Sequence, residues 1–171
     1  MRHKKRNAGF TLVELIIVLA VSAILLSILL ISYNVVNNAN VQKSARRLDT
    51  IIRVARTRTM AKGLEAGKMT LYEDHGKIYA ALGTDPDKIQ TELICNSGVT
   101  MTALQCQTDY TVTAGGIDIP AAGLTIQFST NGTLQNFTDT PPYNKFILTR
   151  GNKRFEVIVY TETGTVDTNM L

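Results

Sequence analysis

One stretch constrains the fold of this chain more than any other: Phe10 to Ile31, FTLVELIIVLAVSAILLSILLI, 22 residues with a single charged side chain, Glu14. A helix rises about 1.5 Å per residue, so the run is roughly 33 Å long, close to the hydrocarbon thickness of a bilayer. A helix in a soluble core presents one apolar stripe, whereas an apolar surface on every side calls for lipid or neighbouring helices. Upstream, Met1 to Gly9 reads MRHKKRNAG, with Arg2, Lys4, Lys5 and Arg6 and no acid. Short basic flanks stay cytoplasmic, so the rest of the chain is expected to face outward. Glu14 is then anomalous, because an unpaired carboxylate in hydrocarbon costs about 2.5–3.5 kcal/mol on insertion scales. It needs a partner, a protonated form, or a place at headgroup depth.

Two ordinary targeting segments fit less well. A secretory signal has a shorter apolar core, about 7–15 residues, ahead of a small-residue cleavage site. Here Ile31 is followed by Ser32, Tyr33 and Asn34. A plain signal anchor has the length but gives no reason for Glu14 or for the Gly9-Phe10 junction.

That junction carries a resemblance. A basic leader ending in Gly9, then Phe10, Thr11, Leu12, Val13 and Glu14 ahead of the apolar run, resembles the class III signal of type IV pilins and pseudopilins. The resemblance implies cleavage by a prepilin peptidase after Gly9, N-methylation of the new terminus at Phe10, and an assembly role for Glu14. In a filament, Glu14 would face the Phe10 amine of a neighbouring subunit, neutralising both charges where water is excluded. The plainer alternative is a glutamate that only reaches the headgroups. Members of that family often carry a proline near the position of Ile31; this chain has none there, so no local kink is expected.

Loss of the leader changes the charge balance. The chain has 18 basic and 14 acidic residues; four of the basic ones precede Gly9, which leaves 14 against 14. Overall basicity is therefore no argument for nucleic-acid binding. Cys95 and Cys106 both fall in the exported part. An even count in an oxidising compartment favours a disulfide, worth about 2–3 kcal/mol for a short loop, with two buried thiols as the alternative. No metal is expected, since no histidine lies near and the spacing fits no zinc pattern.

Beyond the apolar run the helical pattern continues from residue 33 to residue 62. Val41, Ala45, Leu48, Ile52 and Ala55 recur at intervals of four and three, a stripe expected to pack on a globular domain. Lys43, Arg46, Arg47, Arg53 and Arg56 fall mostly on other faces, read as solvated or turned to neighbouring subunits. Gly63 is expected as the C-cap. Thereafter short β runs alternate with turn residues. Lys68–Glu73 and Lys77–Leu82 flank Asp74-His75-Gly76; residues 84–91 read as loop. Val99–Leu104 and Tyr110–Thr113 are expected as strands. Leu124–Thr130 and Thr133–Phe137 flank Asn131-Gly132, a two-residue hairpin signal. Phe146–Arg150 and Arg154–Thr161 flank Gly151-Asn152, and Val166 is expected to end a last strand after Gly164. The fold class is thus α+β, a long N-terminal helix packed on a small antiparallel β domain. Its parts are a cleaved leader (1–9), a transmembrane or filament-core helix (10–32), an amphipathic helix (33–62) and a β-rich domain (63–171).

The arginine-rich helix ahead of the β domain, the F-x-x-x-G turn at Phe128 and Gly132, and the C-terminal hairpin closing at Thr163-Gly164 resemble the GspH/FimT group of minor pseudopilins and pilins. No catalytic constellation is found: His75 sits in a turn, and no G-x-S-x-G, H-E-x-x-H or P-loop pattern occurs. Asn131 and Asn136 begin glycosylation sequons, read as chance in a chain with this leader. No enzymatic activity and no cofactor are expected.

The resemblance implies a structural, minor subunit of a type IV pilus or type II secretion pseudopilus. Its partners would be other pilin or pseudopilin subunits, the prepilin peptidase and the assembly platform of the cytoplasmic membrane. The globular domain would lie outside that membrane until extraction into a filament. One rival is a DNA-binding minor pilin of a DNA-uptake filament, contacting phosphates through Arg150, Lys153 and Arg154. Where DNA-binding relatives show arginines after the final glycine, this chain has Thr165, Val166 and Asp167. A third reading is a bitopic, membrane-anchored binding domain outside any filament.

Overall fold

The computed structural model describes residues 11–85, 89–106, 112, 115–135 and 142–171, with the side chains of 29–38 outside that description. It divides into two compact units, Met1–Val36 and Asn37–Leu171. Gly9 and Phe10 lie outside the described residues, as do residues 107–111, 113 and 114, most of the expected Tyr110–Thr113 strand.

Helix α1, Leu12–Lys62, runs 51 residues without a break. In the first unit its apolar side chains are exposed on all sides, from Leu12 at 74% to Ile28 at 57%. Among the described residues no helix is long and apolar enough to cross a membrane. The described side chains stop at Ile28, so they cover only part of the 22-residue run in the sequence.

In the second unit the same helix becomes one-sided. Val41, Ala45, Leu48, Ile52 and Ala55 are all fully buried, the stripe that the 3.6-residue period marks out. The helix stops where expected: Gly63, at φ 90°, donates its N–H to the Thr59 carbonyl at 2.9 Å. A single short turn of helix, α2 (Leu64–Gly67), follows.

Two antiparallel sheets supply the rest of the core. The first contains β1 (Met69–Asp74), β2 (Lys77–Leu82), β3 (Gln90–Cys95) and β6 (Leu124–Ile126), in the order β3-β2-β1-β6. The second contains β4 (Thr100–Gln105), β5 (Ile117–Asp118), β7 (Tyr143–Arg150), β8 (Lys153–Val159) and β9 (Val166–Met170), in the order β5-β4-β7-β8-β9. Alternate residues point to one core: Met69 and Leu71, Ile78 and Ala80, Met101 and Ala103, Phe146 and Leu148, Val157 and Val159. Two expected hairpins form as written. Asp74 pairs with Lys77 across His75-Gly76, and Arg150 with Lys153 across Gly151-Asn152.

Other expectations are corrected. Gln90–Cys95 is a strand, although its first two residues fell in the expected loop. Asn131-Gly132 does not make a two-residue hairpin. Phe128 bridges Leu134 across a longer turn, in which Asn131 Oδ1 accepts hydrogen bonds from Ser129 and Thr133. Residues 133–135 form no strand beyond that single bridge, and residues 136–137 lie outside the description. Val166 begins the last strand instead of ending it.

Candidate functional site

The residues around Glu14 form a capping box. Thr11 precedes the first helical residue, and Glu14 N–H donates to Thr11 Oγ1 at 3.2 Å. In return Glu14 Oε2 accepts from the Thr11 backbone N–H and from Thr11 Oγ1, each at 3.1 Å. The carboxylate thus satisfies donors of its own helix start, on the positive end of the helix dipole. The T-x-x-E spacing of Thr11 and Glu14 is the sequence signal for this box, which the charge argument alone had passed over. The geometry shows what Glu14 does within one chain and leaves one carboxylate oxygen, Oε1, without a hydrogen bond among the described residues.

The expected Cys95–Cys106 disulfide is not formed, and this is a correction. Cys95 is a buried free thiol at the end of β3, in the first sheet. Cys106, also buried, follows β4 in the second sheet, where its N–H and carbonyl are held by the side chain of Asn144. The turn at Asn96–Val99 leads from Cys95 into β4, and Cys106 follows the far end of that strand, so the two thiols stand on different sheets. Burial pushes the Cys95 thiol up to about 12, against the smaller lowering effects of a Ser44 hydrogen bond and the Arg47 charge.

The helix arginines are not simply solvated. Arg47 donates to the Leu93 carbonyl at 3.1 Å, Arg56 to the Gly132 carbonyl at 3.0 Å, Arg53 to the Val166 carbonyl, and Arg58 to the Gln90 side chain. Each ties α1 to a strand or turn of the β domain. No sequence signal marks these partners, because most are main-chain carbonyls.

The three proposed phosphate contacts do not share a face. Arg150 and Lys153 are cross-strand partners, while Arg154 pairs with Thr149 and so points to the other side of the sheet. The Arg150 guanidinium lies close over Gly98, 3.5 Å from where a Cβ would sit. His75 is exposed in its turn and contacts Asp74 at 2.6 Å. Among the described residues no group of three or more His, Cys, Asp or Glu side chains converges on a metal position.

A family model described as the prokaryotic N-terminal methylation motif matches residues 4–30. No curated protein and no solved structure matches the chain. The matched segment spans the leader from Lys4 onward, the Gly9-Phe10 junction, the Thr11–Glu14 box and nearly all of the apolar run. It supports a type IV pilin-like, membrane-associated protein of structural character, processed by a prepilin peptidase and assembling with other pilins.

Proposed function

We propose that this chain is a minor structural subunit of a type IV pilus or type II secretion pseudopilus, of the GspH/FimT kind. The observation that carries the reading is the methylation motif at residues 4–30, with Glu14 at its expected place in the helix start. In this reading the peptidase cuts between Gly9 and Phe10 and Phe10 is N-methylated. Residues 10–32 hold the subunit in the cytoplasmic membrane, and the β domain lies outside. Within the monomer, Thr11 occupies one oxygen of Glu14; the other is available to the Phe10 amine of a neighbour during assembly. The DNA-binding alternative gains little from Arg150, Lys153 and Arg154, which lie on opposite faces of their hairpin.

Glu14→Ala tests the assembly role. The apolar run inserts whatever stands at position 14, and removing a charge if anything eases insertion. The variant is expected to be processed and present in the membrane at the wild-type level, yet depleted at least about tenfold from sheared filaments, a loss of ~1.4 kcal/mol. Wild-type incorporation at equal membrane abundance would refute that role.

A further inference from the structure

Helix α1 and strand β3 leave a hollow of about 320 Å³ between them, and its walls carry both signs of charge. Lys43, Arg46, Arg47 and Thr50 stand at i, i+3, i+4 and i+7, so one face of the helix presents all four, with Gln42 beside them. Glu92 supplies the facing wall from β3. It pairs across the sheet with Ala80, whose side chain is fully buried, so Glu92 lies on the side of the sheet that turns to α1.

The two signs do not neutralise each other. Arg47 is held to the Leu93 carbonyl at 3.1 Å, one residue along the strand from Glu92. Lys43, Arg46 and Glu92 are exposed, and among the described residues no ion pair joins Glu92 to any of the three cations. Elsewhere the chain closes such pairs: Arg53 meets Asp49 and Lys145 meets Glu156, each at 2.8 Å. In the hollow, three positive charges face one negative charge across a space that suits a small molecule.

We propose that this hollow binds a phosphate ester that carries an ammonium group, the chemistry of ethanolamine phosphate. The phosphate would meet Arg46, Arg47 and Lys43, since a guanidinium fork matches phosphate oxygens in pairs and a lysine adds a point charge. The ammonium would meet Glu92, which faces a plain phosphate only as a repelling neighbour. Glu92 therefore discriminates between phosphates with and without a cationic tail. A small soluble ester and a phospholipid headgroup offer the same chemistry. The site goes beyond the filament reading, and its test does not depend on that reading.

The test uses the full chain in detergent, with binding followed by phosphorus NMR. Ethanolamine phosphate is expected to bind at least about tenfold more tightly than glycerol phosphate, which has no ammonium. Arg46→Ala should weaken binding of both esters about tenfold. Glu92→Gln should remove the preference, bringing the two esters to within about twofold of each other. Both positions are exposed, and circular dichroism would verify that the variants fold. Mixed micelles containing phosphatidylethanolamine or phosphatidylglycerol separate the two sources. A preference for the ethanolamine lipid that Arg46→Ala abolishes assigns the site to a headgroup. Binding of the soluble ester without that preference assigns it to a soluble ligand, and the site stands in either case. Equal binding of the two soluble esters by the wild-type chain would overturn the proposal. So would a preference that survives Glu92→Gln, or a chain that binds neither ester.

Discussion

At Cys95, a thiol raised to about 12 is almost never a thiolate near neutrality, roughly one molecule in ten thousand at pH 8. Native protein is therefore expected to resist alkylation at Cys95, while denatured, unreduced protein labels it fully; a Cys95–Cys106 linked peptide would contradict the structure. The same burial ties folding to the neutral form. The folded group sits above its ordinary 9.0, so its contribution to stability is complete below pH 9 and is lost as the pH rises towards 12. Cys95→Ala should flatten that alkaline decline. Gly164 shows a second residue-scale constraint. At φ 64°, a Cβ there would stand 1.9 Å from the Gly132 carbonyl oxygen and 2.9 Å from Arg56 Nε. Gly151 has a similar φ of 58° but open space around it. Gly164→Ala is expected to cost about 2–4 kcal/mol in unfolding measurements and Gly151→Ala about 1 kcal/mol. Equal costs would mean that the approach of the two turns does not matter. The sequence marks both glycines as turn residues and distinguishes neither, because the clash is with a turn thirty residues away.

Elements differ in how openly the sequence declares them. The buried face of α1 could be read from Val41 to Ala55 because period and burial coincide over four turns. The β1–β2 and β7–β8 hairpins were equally legible, since His75-Gly76 and Gly151-Asn152 supply the positive φ that tight turns need. Strand β3 was not, because its first three residues are exposed and the alternation that identifies a half-buried strand never develops. The Asn131-Gly132 signal misled because the Asn131 side chain is committed to Ser129 and Thr133, which stabilises a longer loop. Strands β3 and β9, one edge of each sheet, are both reached by arginines of α1. Arg53 takes the Val166 carbonyl, and Asp167 Oδ1 accepts the neighbouring Thr168 N–H at 2.9 Å. Edges capped in this way are poor templates for pairing with another chain. Arg53→Ala should cost about 1–2 kcal/mol in chemical unfolding, and Arg53→Lys should restore little, since one ammonium cannot hold Asp49 and Val166 as a guanidinium does. A change within about 0.3 kcal/mol for Arg53→Ala would show that the helix–edge contact contributes nothing.

At the scale of the whole molecule, the chain joins an N-terminal segment that fits the methylation motif to a domain of two antiparallel sheets. The membrane and assembly reading was legible because residue type, spacing and charge asymmetry coincide within a few residues of Gly9. The architecture of the β domain was legible only as α+β, since sheet order depends on pairings between strands far apart in sequence, such as β1 with β6. What unites the two halves is the claim that the basic leader is removed and the remaining chain is a filament subunit. Intact mass and N-terminal sequencing of the chain extracted from the membranes of cells that possess the prepilin peptidase test that claim most directly. The account predicts a chain beginning at Phe10, heavier by one methyl group, and a precursor ending at the same membranes when the peptidase is deleted. A chain that still begins at Met1 in the presence of the active peptidase would contradict it.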